Sequence, residues 1–190
     1  MKFSFAFVAA IVLAQAAAFP VDSVDVDAAP LDARAPPPGR DCPPRERAIA
    51  LLEARLGDRD RPTGHFYTTD EQRMQRAEKR GYTRSRQAPG RAYATPERGT
   101  RALFHFRDQA GNSHYTADPR KREQWLNRGY KERSVAAYLI ESDRCNGLPF
   151  TRFVKRETKD TFFGTTERDI GWAKSHGYTD RGVEGYVLPI

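Results

Sequence analysis

The chain has 190 residues, 38% of them hydrophobic and 11% aromatic, and a formal charge of +7. That length accommodates one domain with short attachments. Past the N-terminus no stretch is apolar for the roughly 20 residues a bilayer span needs, and the basic residues are interleaved with acids such as Glu71, Glu78, Glu97 and Glu123, which excludes the dense block of a nucleic-acid arm.

Residues 1–18 read as a signal peptide. Lys2 supplies the positive start, Phe3 to Leu13 the apolar run, and Ala16-Ala17-Ala18 the small-residue cleavage site. The expected location is therefore extracellular. Residues 19–40 carry four Asp and Pro36-Pro37-Pro38 with few large apolar side chains, and read as a disordered pro-segment or tail. Residues 1–40 hold three basic and four acidic side chains, so the remainder, from Asp41 onward, carries +8. A basic secreted domain tends to meet acidic polymers. The two cysteines, Cys42 and Cys145, are expected to form a disulfide in an oxidising compartment.

The domain from residue 41 to 190 contains an internal period. Gly-Tyr occurs at Gly81-Tyr82, Gly129-Tyr130 and Gly177-Tyr178, each 48 residues after the last. Fifteen residues before each of these tyrosines stands another aromatic, Tyr67, Tyr115 or Phe163. A further tyrosine follows at Tyr93, Tyr138 and Tyr186, the first displaced by an insertion near Pro89-Gly90. The copies are placed at about 48–96, 97–144 and 145–190.

Each copy is predicted as strand, strand, helix, strand. Leu103 to Phe106 and Phe150 to Val154 open the second and third copies as strands. In the second copy Asp108 to Asn112 forms the turn, since Asp and Asn bond their own backbone and Gly accepts positive φ. His65 to Thr68, Ser113 to Thr116 and Thr161 to Gly164 return as second strands. Asp70, Asp118 and Thr166 are the predicted helix N-caps, with Pro119 at a first helical position. Gly81, Gly129 and Gly177 stop the helices. Met74/Ala77, Trp125/Leu126 and Ile170/Ala173 form the predicted buried stripes. Val135 to Ile140 and Val183 to Leu188 close the units. The opening of the first copy is contested: propensity over Glu46 to Leu56 favours a helix, and the period demands a strand near Leu51 to Leu56. The expectation is strand. The fold class is α+β, one small domain of hairpin–helix–strand units in a pseudo-threefold arrangement.

The run His65-Phe66-Tyr67-Thr68-Thr69, the Gly81-Tyr82 pair and the closing Gly182-Val183-Glu184-Gly185-Tyr186-Val187 resemble a repeat domain of secreted fungal and bacterial proteins. That family is catalogued as a domain of unknown function. The resemblance covers about residues 48–190 and implies fold and secretion, with no activity attached. The second and third copies depart from it at Ser113-His114-Tyr115 and Thr161-Phe162-Phe163.

Four histidines are the first candidates for chemistry. His65 and His114 are one residue out of frame and should point to opposite faces of equivalent strands. His105 and His114 could face each other across the second hairpin. No third ligand spacing supports a metal, and no cofactor motif is present. His65, Glu71, Glu97 and His114 suit a ribonuclease or other hydrolase by residue type, but no spacing singles them out as catalytic. The expectation is a non-enzymatic binding module for glycan or acidic cell-wall polymer, with neither membrane nor nucleic acid as partner. The alternatives are a secreted basic nuclease or other hydrolase, and an effector that binds a host protein. Candidate binding residues are His65, Tyr67, Thr68, His114, Tyr115, Thr116 and Phe163, where rings beside hydroxyls suit a sugar face. The aromatic members have a competing role as core. A function carried by one copy should lie where the copies differ, as His65 does from Ser113 and Thr161.

Overall fold

The computed structural model describes residues 42–58 and 60–190. The expected signal peptide and acidic segment lie outside those residues. The structure mixes three α-helices with antiparallel sheets. A two-residue strand β1 (Ile49–Ala50) precedes the first hairpin, β2 (Leu52–Asp58) and β3 (Arg61–Thr68), which leads into α1 (Glu71–Glu78), β4 (Thr83–Arg84) and β5 (Arg91–Ala92). The same order follows in β6 (Thr100–Arg107), β7 (Ser113–Thr116), α2 (Pro119–Asn127) and β8 (Lys131–Ile140). It follows again in β9 (Leu148–Lys155), β10 (Asp160–Gly164), α3 (Glu167–Ser175) and β11 (Thr179–Val187). The first segment therefore opens with a strand. Its local helix propensity is overridden because β2 is ladder-bonded on both sides, to β3 and to β4.

In each segment the first strand lies between the second and the last, giving β3-β2-β4, β7-β6-β8 and β10-β9-β11. The second and third sets join through Tyr186 opposite Ile140 into one six-stranded sheet. In the first segment the closing strand is broken by residues 85–90, and β5 pairs with β1 instead. Gly90 anchors that insertion: its carbonyl accepts from Leu51 N at 2.9 Å. A Cβ there would lie 2.5 Å from Val187 Cγ2 and 2.9 Å from the Leu188 carbonyl. Gly90→Ala is accordingly expected to cost about 1–3 kcal/mol by overpacking, seen as a lower urea midpoint. An unchanged midpoint would mean that β11 yields without strain.

The helix ends follow from local chemistry. Asp70 accepts from Arg73 N, Asp118 from Arg120 N and Lys121 N, and Thr166 forms a capping box with Asp169. Each helix ends in the same pair of bonds, as when Tyr82 N donates to Ala77 O and Gly81 N to Glu78 O. Gly129-Tyr130 and Gly177-Tyr178 repeat it, with the glycines at φ of +92°, +80° and +80°. This is a Schellman cap, and it explains the Gly-Tyr dipeptide: glycine supplies the left-handed residue and the tyrosine packs back on the last turn. One predicted stripe needs correction. Met74 and Ala77 are buried, and Ala173 is too, but Leu126 is 41% exposed, so of the α2 pair only Trp125 packs inward, against Phe106 and Tyr130.

Tyr67, Tyr115 and Phe163 meet at the centre of the main core. Their rings make edge-to-face contacts at centroid distances of 5.5, 5.2 and 6.0 Å, each worth about 0.5–1.5 kcal/mol beyond burial. The phenols bond between segments: Tyr67 N donates to Tyr115 OH at 3.0 Å, and Phe163 N to Tyr67 OH at 3.1 Å. A second cluster gathers Tyr93, Tyr138 and Tyr186 with Ile140 and Leu188. Cys145 packs on that cluster and is bonded to Cys42, 103 positions away in sequence, with 5.6 Å between their Cα atoms. No helix among the described residues is long and apolar enough to cross a membrane.

Candidate functional site

The face of β2 and β3 that carries Glu53, Arg55, His65 and Tyr67 turns toward the third segment. Glu53 stands opposite Tyr67 in the ladder and Arg55 opposite His65, so all four side chains share one face. Across from them stand Asp160 and Phe162 of β10, Trp172 of α3 and Tyr178 at the end of that helix. A cleft of about 600 Å³ opens between the two faces. Glu53, Arg55 and His65 form one wall, and Phe162, Arg168 and Trp172 the other. Ser85, Gln87 and Pro89 of the insertion close one side. Asp169 also lines it, but its carboxylate is held by the backbone of Thr165 and Thr166 as the helix cap.

Asp160 anchors His65. It is 2% exposed and His65 3%. Asp160 Oδ1 accepts from the His65 backbone N–H at 2.7 Å, and Oδ2 lies 2.6 Å from His65 Nδ1. Tyr178 OH donates to the same Oδ2 at 2.5 Å. The ring is thereby fixed with Nδ1 on Asp160 and Nε2 directed toward Glu53, whose Oε1 is 4.0 Å away. Glu53 Oε1 is itself held by Tyr67 OH at 3.1 Å. Burial works against an imidazolium here, but Asp160 and then Glu53 outweigh it and hold the His65 pKa above its ordinary value. Burial likewise raises Asp160, yet the His65 contact prevails and the carboxyl titrates below the usual carboxylate range. Arg55 Nε is buried and meets no hydrogen-bond acceptor among the described residues.

Of the residues singled out from sequence, His65 and Phe163 line this cleft. Tyr67 and Tyr115 are fully buried and Phe163 is 2% exposed, so these rings form the core and offer no stacking surface. Thr68 and Thr116 are buried as well. Their hydroxyls accept from Asp70 N and Asp118 N, which steadies the turn into each helix. His114 lies apart, packed on Trp125 and Tyr130 with Nε2 3.3 Å from Asp108 Oδ2. The suggestion that His105 faces His114 fails by one residue of register. His105 pairs with Tyr115 and stacks on its ring at 4.8 Å, and His114 pairs with Phe106. His105 Nε2 contacts Ser113 Oγ at 3.0 Å. Glu71 is on the exposed side of α1 and bonds Arg84, and Glu97 pairs with Arg47, so neither approaches a histidine.

Glu53, Arg55, Asp160 and Trp172 were missed from sequence. A signal existed for Asp160, because Gly64 and Asn112 occupy the same place in the 48-residue frame and neither carries a charge. Glu53 gave less, because the hairpin turns differ in length and take it out of the 48-residue frame.

A family model described as a domain of unknown function matches residues 59–188. No curated protein and no solved structure matches the chain.

Proposed function

We propose, for a chain that belongs to the family defined by a domain of unknown function (DUF5648), that it is a secreted module binding an acidic, hydroxyl-bearing polymer, with charged cell-wall glycans the first class to test. The observation that carries this reading is the cleft over His65. Its volume suits a small ligand or one or two units of a polymer. It offers an aromatic ring at Trp172, hydrogen-bonding groups at Glu53, Gln87 and His65, and cations at Arg55 and Arg168. The positive charge of the Arg55 and Arg168 guanidinium groups on the cleft walls favours an anion.

The pseudo-threefold arrangement belongs to the same proposal. Three of the contacts between segments run in one cyclic order: Thr69 N donates to Ala136 O, Ala117 N to Glu184 Oε2, and Thr165 Oγ1 to Pro89 O. Three related seams result, and only the seam between the first and third segments carries the His65–Asp160 pair. The difference between the seams favours binding at one cleft over three equivalent aromatic sites. Secretion is supported by the N-terminal sequence and by the disulfide, which persists in oxidising compartments.

Titration with an oligogalacturonate tests the reading. In a Trp125→Phe background Trp172 is the one remaining tryptophan, and its fluorescence should change saturably and in a salt-dependent way. Arg55→Ala should weaken binding about tenfold to a hundredfold, the worth of one charged hydrogen bond. Binding indifferent to Arg55→Ala, or without response at Trp172, would refute the placement of the site.

A further inference from the structure

We infer that this cleft cleaves single-stranded RNA by internal transesterification. The inference rests on the reading that the cleft takes an acidic, hydroxyl-bearing polymer, and it narrows the acid to a phosphodiester with a neighbouring hydroxyl. Three groups with complementary charge converge there. Glu53 is a carboxylate, His65 an imidazole fixed by Asp160, and Arg55 a guanidinium with a buried unpaired Nε. The 4.0 Å between Glu53 Oε1 and His65 Nε2 is too long for a hydrogen bond. His65 Nε2 is thus not taken up by Glu53, whose Oε1 already accepts from Tyr67 OH, and the two groups can bind different oxygens of one phosphate centre.

The two carboxylates around His65 favour its protonated form, which makes it the acid and Glu53 the base. Glu53 takes the proton of the ribose 2′-hydroxyl as that oxygen forms its bond to phosphorus. The bond from phosphorus to the 5′-oxygen breaks, and His65 Nε2 gives its proton to the departing oxygen. The products are a 2′,3′-cyclic phosphate and a 5′-hydroxyl, and passage of the proton from Glu53 back to His65 restores the site. Atoms and charge balance without a co-reactant. Arg55 holds the non-bridging oxygens, where negative charge grows in the transition state. Trp172, half-buried on the opposite wall, supplies a stacking face for one base.

The same groups fit poorly with elimination from a uronate chain. That reaction removes a carbon-bound proton, for which a carboxylate is a weak base, whereas proton removal from a hydroxyl is eased by its concerted attack on phosphorus. RNA is then held one nucleotide deep in a cleft, which needs no dense basic stripe along the surface.

The full disulfide-bonded chain would be incubated with a labelled single-stranded oligoribonucleotide and with its 2′-O-methyl analogue. The expected result is fragments ending in 2′,3′-cyclic phosphate from the first, and binding without cleavage of the second. Glu53→Gln should lower kcat on the order of a hundredfold with KM little changed, and should abolish the acidic limb of the pH profile. His65→Asn should lower kcat comparably and abolish the alkaline limb instead, and Glu53→Gln keeps the test valid if that variant fails to fold. RNA bound but left intact overturns the inference, as does cleavage that Glu53→Gln, purified in parallel, leaves untouched. Oligogalacturonate bound with no RNA cleavage overturns the inference and leaves the binding reading in place. Failure to bind either polymer overturns both.

Discussion

Asp160→Ala is expected to destabilise the fold by about 3–5 kcal/mol, the usual result of removing one partner from a buried ion pair. The carboxylate is 2% exposed and meets three donors: His65 N, His65 Nδ1 and Tyr178 OH. The first two belong to the first segment and the third lies 18 residues along in the third, so the loss would loosen the seam that forms the cleft. Asp160→Asn separates charge from packing. It keeps an acceptor of the same size, and its cost should be smaller. The His65 pKa should then fall from above its ordinary value to below it, because burial is opposed by Glu53 alone. Urea midpoints read the first effect and an NMR titration of the imidazole reads the second. A histidine in Asp160→Asn that still titrates above 6.5 would show that Asp160 does not control it.

Acid is expected to unfold the protein through His105. Burial, and then Arg107, Arg73, Arg133 and Arg80, depress its pKa from 6.5 to about 3. A group depressed on folding stabilises the fold above its unfolded value and loses that contribution as pH falls toward the folded value. The window therefore runs from about 6.5 down to about 3, and at about 1.4 kcal/mol per pH unit the loss reaches about 3 kcal/mol by pH 4. His114 is depressed in the same direction, chiefly by burial, and adds to this limb. His65 behaves in the opposite way. Its raised pKa gives stability that is complete below the unfolded value and is lost as pH rises through the folded one. His105→Gln, which can still hydrogen-bond Ser113, should flatten the acid limb and leave the alkaline limb unchanged. Denaturation midpoints across pH 4 to 8.5 check this, and an acid limb identical to that of the parent would dismiss His105 as its source.

The two histidines also show how far sequence reasoning reaches here. His65 was identifiable as the odd residue in a frame where Ser113 and Thr161 stand elsewhere. Its partner Asp160 lies 95 residues away, and only the packing of the first segment on the third makes them neighbours. Glu53, His105 and Arg152 occupy matching ladder positions, opposite Tyr67, Tyr115 and Phe163. The hairpin turns differ in length, so these three fall out of the 48-residue frame and a search by period passes over them. The misplaced His105–His114 pairing has the same origin: a strand slipped by one residue presents its other face.

The sequence alone determined the segments and their ends. Asp70, Asp118 and Thr166 cap the helices and the Gly-Tyr pairs close them, because caps need only residues within one turn of each other. It also paired Cys42 with Cys145, since two cysteines leave one choice. Tertiary structure decided what the aromatics do. Tyr67, Tyr115 and Phe163 are interchangeable on paper between core and binding surface, and burial at the meeting of three segments made them core. It decided the cleft as well. A cleft between strands remote in sequence depends on which faces pack together, and that is fixed by the summed burial of the whole domain rather than by any local run of residues.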